Sequence, residues 1–524
     1  MAFGRTIVIA LIVSLAAGAP FASAQALSPF EADHWVTPPN VVDEHITAAL
    51  AQHGLELANP CSDEVFIRRV YLDVIGTLPE PAEVQQFLED GRLEKRSELI
   101  DRLLARDEFA DYWALKWCDV LRVKSEFPIN LWPNAVQAYH RWVRDAIANN
   151  KPYDQFAREL LTSSGSNFRV PPANFYRAAA GHEPSALAAV VALTFMGSRV
   201  DTWPEKQRHN LEAFFSRLAF KSTGEWKEEI IYLDPAPRGP LDAVLPDGSS
   251  VRIEAGEDPR KVFADWLISA ENPWFARAVV NRTWFWLMGR GIIHEPDDIR
   301  PDNPPSNPEL LAVLERELLR AEFDLRAVYR LILRSRTYQQ SSIARRDCPE
   351  AETLFAYYPV RRLDAEVLVD ALCQVFGGPG ESYTSAIPEP FTVIPKDQRT
   401  ITLADGSITS PFLELFGRPP RDTGLMSERN NQPTRAQRLH LINSSHVQKK
   451  IENSPRLRKI VADNRKDRRK LISAIYMHLL SRSPTPEELD IAEEYFKTAG
   501  LLQRQAVDDL AWALINTKEF FYRH

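Results

Sequence analysis

The side chains best suited to chemistry lie between residues 418 and 432. Three arginines and two carboxylates stand there among amides, and arginine forks beside carboxylates can grip a sugar, sulfate or carboxylate group. A hydrolase acting on sulfated or acidic polysaccharide would need two carboxyl groups facing one cleft, about 5 to 10 Å apart. The same residues equally predict an internal ion-pair network that fixes a long loop. The catalytic candidates are Asp422, Glu428 and Arg429, and the ligand-binding candidates are Arg418, Arg421 and Asn430.

A second oxygen-rich stretch, residues 294–303, offers Asp297, Asp298 and Asp302 as ligands for Ca²⁺. It lacks the spacing and the glycine of an EF-hand, so the alternative is a capped connection stiffened by proline. The sequence also lacks HExxH, GxSxG, Walker and GxGxxG motifs. We therefore expect no metal and no cofactor, and these patterns favour a protein without catalytic activity while leaving an enzyme open.

Composition and charge are those of a globular protein with a large core. The 524 residues allow two to four domains. Hydrophobic residues make up 44% of the chain and charged residues 26%, which is ordinary for such a protein. The formal net charge of -8 is mild over this length and argues against a nucleic-acid partner held by bulk electrostatics.

The N-terminus has the pattern of a secretory signal peptide. Arg5 precedes the apolar run 6–17, and Ala22-Ser23-Ala24 fits a small-residue cleavage site. The mature chain then begins at Gln25, and the alternative is an uncleaved anchor helix. A second segment long and apolar enough to span a membrane is absent, so we expect no transmembrane segment in the mature chain. The pattern predicts an exported protein, periplasmic or at the cell surface.

Export affects how the cysteines are interpreted. The four cysteines lie far apart in the sequence. In an oxidising compartment two alternatives are compatible with this spacing: one or two disulfides, or buried free thiols. They form neither a CxxC pair nor the CxxCH needed to attach a c-type haem, so haem is not expected. The four residues are Cys61, Cys118, Cys348 and Cys373.

The periodicity of the chain predicts a mainly α protein with a small β-hairpin insertion. Asn272-Pro273 caps a central helix that is apolar on most sides and ends at Gly289. Asn307-Pro308 caps the next helix, which is predicted over residues 308–320. We expect its polar strip, which includes Asn281 and Arg282, to face solvent. The β insertion covers residues 228–255, with Pro246-Asp247-Gly248 as the hairpin turn. A shorter hairpin is predicted over 400–408.

A helix–proline–helix unit occurs near both ends of the chain. Residues 66–84 align without gaps to residues 471–489, and the tyrosine, both prolines and a glutamate coincide. Any helix–proline–helix corner would share part of this pattern, but the ordered coincidences favour a duplicated helical unit.

These elements predict a division of the chain into four parts. Residues 1–24 form the signal peptide and residues 25–40 a linker. Residues 41–257 form a first helical domain that carries the β insertion. Residues 258–524 form a second helical domain.

The motifs resemble those of a planctomycete-type exported family of unknown function, in which a cytochrome-associated PSCyt-like domain precedes a planctomycete-specific PSD-like domain. The first signature is Phe66-Ile-Arg-Arg-Val-Tyr-Leu-Asp73 with Gly76 and Leu78-Pro79. The second runs from Asn272 to Trp284 and continues through 289–291, 304–310, 334–338, 361–366, 416–418 and 512–520. The resemblance implies an exported partner protein of alkaline-phosphatase-like type.

The chain departs from this family at its cysteine motifs. Residues 195–205 lack the haem-type CxxCH that many relatives carry after Phe-x-Gly, and residues 425–429 lack the cysteines of a second motif. We therefore favour a non-catalytic scaffold or binding module over a polysaccharide hydrolase. An electron-transfer protein is disfavoured because covalent haem attachment requires those cysteines.

Overall fold

Helices joined by short turns make up most of the computed structural model, which describes residues 28–236, 239–384, 387, 392–497 and 503–524. The predicted signal peptide and its cleavage site lie outside the described residues. Among the described residues, no helix has the length and apolar character needed to cross a bilayer. The prediction of a mainly α protein is confirmed.

Several helices of the N-terminal half begin at a residue that caps them or at proline in the first turn, as Ser62 and Pro133 illustrate. A π-helix at Ala192–Met196 ends at Gly197 in the left-handed conformation. The α-helices are α1 Val41–Gln52, α2 Asp63–Val74, α3 Pro81–Glu89, α4 Lys95–Leu104, α5 Asp107–Val120, α6 Pro133–Ala148, α7 Tyr153–Thr162, α8 Asn174–Arg177, α9 Pro184–Val191 and α10 Glu205–Glu212.

The C-terminal half continues in the same way, and Asn307 caps a helix that spans the predicted residues 308–320. The α-helices are α11 Pro259–Leu267, α12 Phe275–Met288, α13 Pro308–Arg320, α14 Leu325–Leu333, α15 Arg336–Gln339, α16 Pro349–Thr353, α17 Ala365–Phe376, α18 Pro411–Leu415, α19 Arg435–Asn443, α20 Ser445–Glu452, α21 Pro455–Asp463, α22 Arg468–Leu480, α23 Pro486–Phe496, α24 Gln503–Ile515 and α25 Lys518–Phe521.

Short strand pairs interrupt the helices. Strands β1 Gly165–Ser166, β2 Leu218–Ser222 and β3 Glu229–Leu233 form an antiparallel sheet in the order β1-β3-β2. The predicted hairpin is confirmed as β4 Leu241–Val244 paired with β5 Ser250–Ile253. A further pair joins β6 Arg361–Arg362 to β7 Tyr522–Arg523.

The hairpin predicted over 400–408 was wrong. A 3₁₀ helix occupies Thr400–Thr402 instead. Its first amides donate to the carboxylate of Asp370, with Thr400 N at 2.8 Å and Ile401 N at 3.0 Å. A carboxylate that accepts successive amides stabilises a helical turn, and a sequence pattern does not reveal that partner.

One aromatic core spans both halves of the chain. The ring centroids of Trp113 and Trp117, both on α5, lie 5.4 and 5.5 Å from the Trp286 ring on α12. Tyr329 on α14 lies 4.3 Å from Trp113. Because these rings are buried and contact one another, the two halves share a single hydrophobic interior.

The central helix α12 is buried more completely than its sequence predicts. Asn281, Arg282 and Thr283 lie inside, so the expectation of a solvent-facing strip was wrong for these residues. The Arg282 guanidinium donates to the Leu193 and Thr194 carbonyls at 3.2 and 2.9 Å. The π-helix that contains those carbonyls ends nearby, and carbonyls at a helix end need outside donors. The Arg282 guanidinium supplies these donors.

The described part of the predicted linker, residues 28–40, lies against the helical body. The Thr37 hydroxyl donates to the Gln339 side chain at 2.6 Å, and the Arg336 guanidinium lies 5.4 Å from the centre of the Trp35 ring. This segment therefore contributes contacts of its own to the fold.

The four cysteines all lie within the described residues and are free thiols. Cys61 and Cys118 are buried, whereas Cys348 and Cys373 are partly exposed. Burial raises the pKa of the Cys118 thiol to about 12, which keeps it protonated and unreactive.

Candidate functional site

The arginines of segment 418–432 point into the protein. Arg421 Nε lies 2.8 Å from a carboxylate oxygen of Asp119 on α5. Arg429 contacts the same carboxylate at 2.6 Å and Glu366 on α17 at 2.6 Å. Arg418 Nε lies 3.4 Å from Glu366. The three predicted arginines therefore hold two buried carboxylates, one from each half of the chain.

The same arginines also fix the preceding loop. Arg421 donates to the carbonyl of Ala404 at 2.7 Å, and Arg418 donates to the carbonyls of Asp405, at 3.0 Å, and Ile408. Buried carbonyls outside helices and strands need such donors. Because of these contacts, the guanidinium groups of Arg418 and Arg421 face the interior. A ligand that arrives from solvent does not meet them.

The predicted catalytic carboxylates lie nearer the surface and each has its own partner. Asp422 is 2.5 Å from the ammonium group of Lys124, and its side chain is 35% exposed. Glu428 accepts the backbone amide of Thr423 at 2.7 Å. The Asn430 side chain accepts the amide of Gln432 at 3.0 Å. All three are used to shape the segment on which they lie.

A second group of buried charges continues the network. The Asp73 carboxylate on α2 accepts the hydroxyls of Tyr338 and Tyr358 at 2.9 and 2.8 Å. Arg523 on β7 lies 3.0 Å from Asp73 and 3.2 Å from Asp364. Asp364 in turn accepts the Lys116 ammonium at 2.7 Å. Arg429 lies 3.7 Å from Asp364 and thus links the two groups into one network across the interior.

Electrostatics keep this network charged. Burial alone would raise the pKa of Glu366, but the charge and hydrogen bonds of Arg429 outweigh it and lower that pKa to about 2. Burial would likewise raise the pKa of Asp364, yet Lys116 and Arg523 hold it well below its usual range. Burial lowers the pKa of Lys116 to about 8 against the pull of Asp364. Lys116 is 6% exposed, so a substrate does not reach it.

The stretch 294–303 also serves the fold. Asp297 is buried, and its two carboxylate oxygens accept from the Arg282 guanidinium at 3.0 Å and the Met426 amide at 2.6 Å. Asp298 and Asp302 lie 3.2 and 3.4 Å from Arg300. In the part of the chain that the structure describes, no three His, Cys, Asp or Glu side chains are grouped to hold a metal ion.

Sequence reasoning missed the partners of the arginines. These carboxylates stand on helices whose other residues are largely apolar, and an acid on a buried helix face must find a cation. The position of such an acid on a buried face indicates that it has a cationic partner, but it does not identify that partner. The missed carboxylates are Asp73, Asp119 and Glu366 on helices and Asp364 at the N-cap of α17, and the missed cation is Arg523.

Sequence reasoning also missed an open cleft in the N-terminal half. The cleft, of about 820 Å³, lies beside the turn between β2 and β3 and includes Asn130, His182 and Trp226. A neighbouring groove of about 730 Å³ follows one side of α6. Glu225 lines both. The sequence signal available for this cleft was a tryptophan in a glycine-containing turn.

Fold and network together define a helical protein whose two halves share one core and one set of buried charges. Two family models match this chain in sequence order. PSCyt2, described as a protein of unknown function (DUF1549), matches residues 41–218. PSD1, described as a protein of unknown function (DUF1553), matches residues 259–496.

The chain therefore belongs to the two-domain family of unknown function in which a PSCyt2 domain precedes a PSD1 domain. This confirms the resemblance identified from the sequence motifs. Comparisons with curated proteins and with solved structures found no match.

Proposed function

We propose that this protein is a non-catalytic exported scaffold or binding module that works with a partner protein in the cell envelope. One observation carries the proposal: the arginines best endowed to bind an acidic substrate hold buried carboxylates instead. Arg429 is the clearest case, since its guanidinium contacts Asp119 and Glu366 at 2.6 Å each. A buried charge committed to two partners is not available to a substrate without breaking the fold.

The buried network also favours a scaffold. Asp73 and Asp119 come from the PSCyt2 domain, Asp364 and Glu366 from the PSD1 domain, and Arg523 from the C-terminal end. Ion pairs that cross between domains oppose small relative motions, because a shift would leave buried charges without their partners in a low dielectric. A stiff two-domain body suits a protein that holds a partner in place.

The signal-peptide pattern supports a periplasmic or cell-surface location, and the family resemblance supports an exported partner of alkaline-phosphatase-like type. A polysaccharide hydrolase is the less supported alternative. Asp422 and Glu428 are engaged by Lys124 and by a backbone amide, respectively.

Affinity capture tests the proposal. The tagged mature protein would be recovered from its native cell envelope after mild cross-linking, and its companions identified by mass spectrometry. One exported protein in stoichiometric amount is the expected result. Purified protein would be assayed on sulfated and uronate-containing polysaccharides in parallel. Turnover by the wild type that Glu428→Gln abolishes, with folding intact, would replace the scaffold by the hydrolase.

A further inference from the structure

The turn between β2 and β3 exposes a tryptophan on the surface of the PSCyt2 domain. Trp226 is 64% exposed, although a large aromatic ring in water forgoes the burial that normally stabilises it. Its ring centroid lies 4.7 Å from that of Trp132, which precedes α6. The Lys227 ammonium lies 5.7 Å from the Trp132 ring. The two ring planes are inclined at 54°, so the pair forms an angled aromatic surface with Trp226 as its exposed member, and we call this surface the platform.

The platform stands between two depressions. Asn130 lines the cleft and Asn134 lines the neighbouring groove, and Trp132 lies between them in the chain. Glu225, next to Trp226, lines both. The two depressions therefore adjoin at Glu225 and form one extended surface beside the tryptophan turn. We call this surface, 820 Å³ of cleft plus 730 Å³ of groove, the double groove.

The turn that carries the tryptophan is held in place. The carboxylate of Glu228, itself buried, accepts the Ser166 hydroxyl at 2.5 Å and the Thr223 hydroxyl at 2.8 Å. The Thr223 amide donates to the Glu228 carbonyl at 3.2 Å, closing the turn. A ring fixed before a ligand arrives loses less entropy on binding than a mobile one.

Amides and aromatic rings line the groove together with two cations and two carboxylates, which balance in charge: Arg141, Lys151, Asp145 and Glu225. The groove presents the side chains of Asn134, Gln137 and Asn149 beside Trp142 and Phe168. Amides both donate and accept hydrogen bonds, and each aromatic ring offers a flat apolar face. This mixture matches a ligand that has apolar faces and a rim of hydroxyl groups.

In the cleft, charge selects against anions. Its carboxylates are Glu183, Glu225, Glu228 and Glu229, and its two cations are Arg177 and Lys227. Arg177 is already paired with Glu229 at 2.7 Å. An acidic polysaccharide would therefore meet a surface with more negative than positive charge, which opposes its binding.

We propose that the double groove binds a neutral glycan chain, with sugar rings stacked on the Trp132–Trp226 platform and hydroxyl groups bonded to the amides of the groove. The C–H faces of a pyranose are apolar while its edges need hydrogen bonds, and the platform and its lining offer both. Residues of segment 418–432 do not line either depression. The site does not depend on a protein partner, so it goes beyond the scaffold function proposed above.

Affinity electrophoresis of the mature protein tests the site. The gels would contain soluble neutral glycans, namely glucan, mannan and xylan, or acidic ones, namely alginate and a sulfated galactan. We expect retardation by at least one neutral glycan and none by the acidic ones. Trp226→Ala should weaken that retardation at least tenfold, and Trp226→Phe should keep most of it. Because Trp226 is largely exposed, the melting temperature of both variants should match the wild type.

Leu439→Ala is the matched control, since Leu439 is also an exposed apolar side chain, 59% exposed, on helix α19. It should bind as the wild type does. Neutral binding should also persist in 0.5 M salt, where ion-pair contacts are screened. The proposal is overturned if no neutral glycan retards the protein, if acidic glycans do so instead, or if Trp226→Ala binds unchanged.

The two proposals fail separately. Partner capture repeated with Trp226→Ala should recover the same exported protein as the wild type. If glycan binding is lost and partner capture is unchanged, the scaffold function is retained as a proposal. If partner capture fails and glycan binding is unchanged, the glycan site is retained. If Trp226→Ala lost both, the tryptophan would belong to the protein interface and the glycan proposal would be wrong.

Discussion

The two helix–proline–helix units solve the same local problem with different residues. In the N-terminal unit α2 is followed by Gly76 with φ +60°, and in the C-terminal unit α22 is followed by Ser481 with φ +62°. These residues occupy aligned positions. The left-handed conformation is easy for glycine and costs about 1–2 kcal/mol for serine, so the turn geometry is repeated although the residue best suited to it is not.

Each unit also places two glutamates around one arginine. Arg106 contacts Glu83 at 3.1 Å and Glu108 at 2.5 Å in the first unit. In the second, Arg482 contacts Glu488 at 2.7 Å and Glu519 at 2.6 Å. Glu83 and Glu488 occupy aligned positions, and Glu108 and Glu519 lie beyond the aligned residues, each immediately before a phenylalanine. The arginines come from different positions in the sequence. The paired carboxylates are therefore the repeated feature, and each unit supplies its cation in its own way.

Burial separates the two arrangements. The Arg106 side chain is 34% exposed, and the Arg482 side chain is 8% exposed. The second unit is covered partly by the first, because Arg68 on α2 donates to the Leu479 carbonyl at 3.0 Å and to the Ser481 hydroxyl at 3.3 Å. The same chemistry should therefore contribute more to stability in the C-terminal unit.

Substitutions in the two left-handed turns should have the largest effect on stability. A Cβ at Gly76 would lie 2.6 Å from Cδ2 of Tyr112, whose ring is buried and whose hydroxyl is held by Asp364 and Arg523. We expect Gly76→Ser to lower the free energy of unfolding by about 3–4 kcal/mol, combining left-handed strain and overpacking. Urea denaturation followed by circular dichroism measures it.

The reciprocal change is the control. Ser481→Gly removes left-handed strain and also removes a hydroxyl that accepts from Arg68, so the free energy of unfolding should stay within about 1 kcal/mol of wild type. If Ser481→Gly were as damaging as Gly76→Ser, the two turns would not be equivalent.

Removing the arginines comes next in size. Arg482→Met leaves Glu488 and Glu519 without their cation, and we expect a loss of about 2–3 kcal/mol in the free energy of unfolding. This lies below the range for fully buried pairs because the Glu488 side chain keeps 31% exposure. Arg106→Met should cost no more than about 1 kcal/mol, as for surface pairs. Chemical denaturation of both variants measures the ratio.

Neutralising the carboxylates sharpens this comparison. In the background of Arg482→Met, the changes Glu488→Gln and Glu519→Gln remove the unpaired charges, and stability should partly return. Glutamine at 488 also keeps the capping box that Thr485 begins. No recovery in the triple variant would mean that Arg482 acts through packing alone.

Removing the contact between the two units should have a smaller effect on stability. Arg68 is buried and has no carboxylate within hydrogen-bonding distance in the described residues, and burial lowers its pKa to about 10. Arg68→Met loses donors to the Leu479 and Phe520 carbonyls and to the Ser481 hydroxyl. It also removes a costly buried charge, so we expect a loss of about 1 kcal/mol. A double-mutant cycle with Ser481→Gly should show coupling of about 0.5 kcal/mol. Strict additivity would contradict the direct contact.

Local signals in the sequence predicted much of the fold. The duplicated unit follows from aligned tyrosine, proline and glutamate residues, and α13 begins and ends where Asn307-Pro308 and its periodicity place it. The β4–β5 hairpin follows from its turn residues. Each of these features depends on residues that are close in the chain, so a sequence pattern contains the relevant interaction.

Long-range pairing could not be predicted in the same way. Arg421 and Asp119 are 302 residues apart, and Arg429 and Asp119 are 310 apart. The density of charge in segment 418–432 predicted either a substrate site or an internal network, and only the partners distinguish the two. A helix pattern shows that Asp119 faces the interior but not which arginine meets it there.

Acid sensitivity should show the smallest difference between the units. Burial acts to raise the pKa of Glu488, but the hydrogen bonds and charge of Arg482 outweigh it and hold that pKa below its ordinary value of 4.5. A lowered folded-state pKa stabilises the protein above pH 4.5, and the contribution is lost as the pH falls further. Arg106 likewise lowers the pKa of Glu108.

The stability gap between wild type and Arg482→Met should therefore narrow as the pH falls from 5 to 3. We expect a slope of at most about 1.4 kcal/mol per pH unit for each proton taken up, and a smaller slope for Arg106→Met. Urea titrations at pH 7, 5, 4 and 3 measure both slopes, since urea adds no ionic screening. A gap that stayed constant for Arg482→Met would show that the ion pair contributes nothing beyond the packing of the side chain.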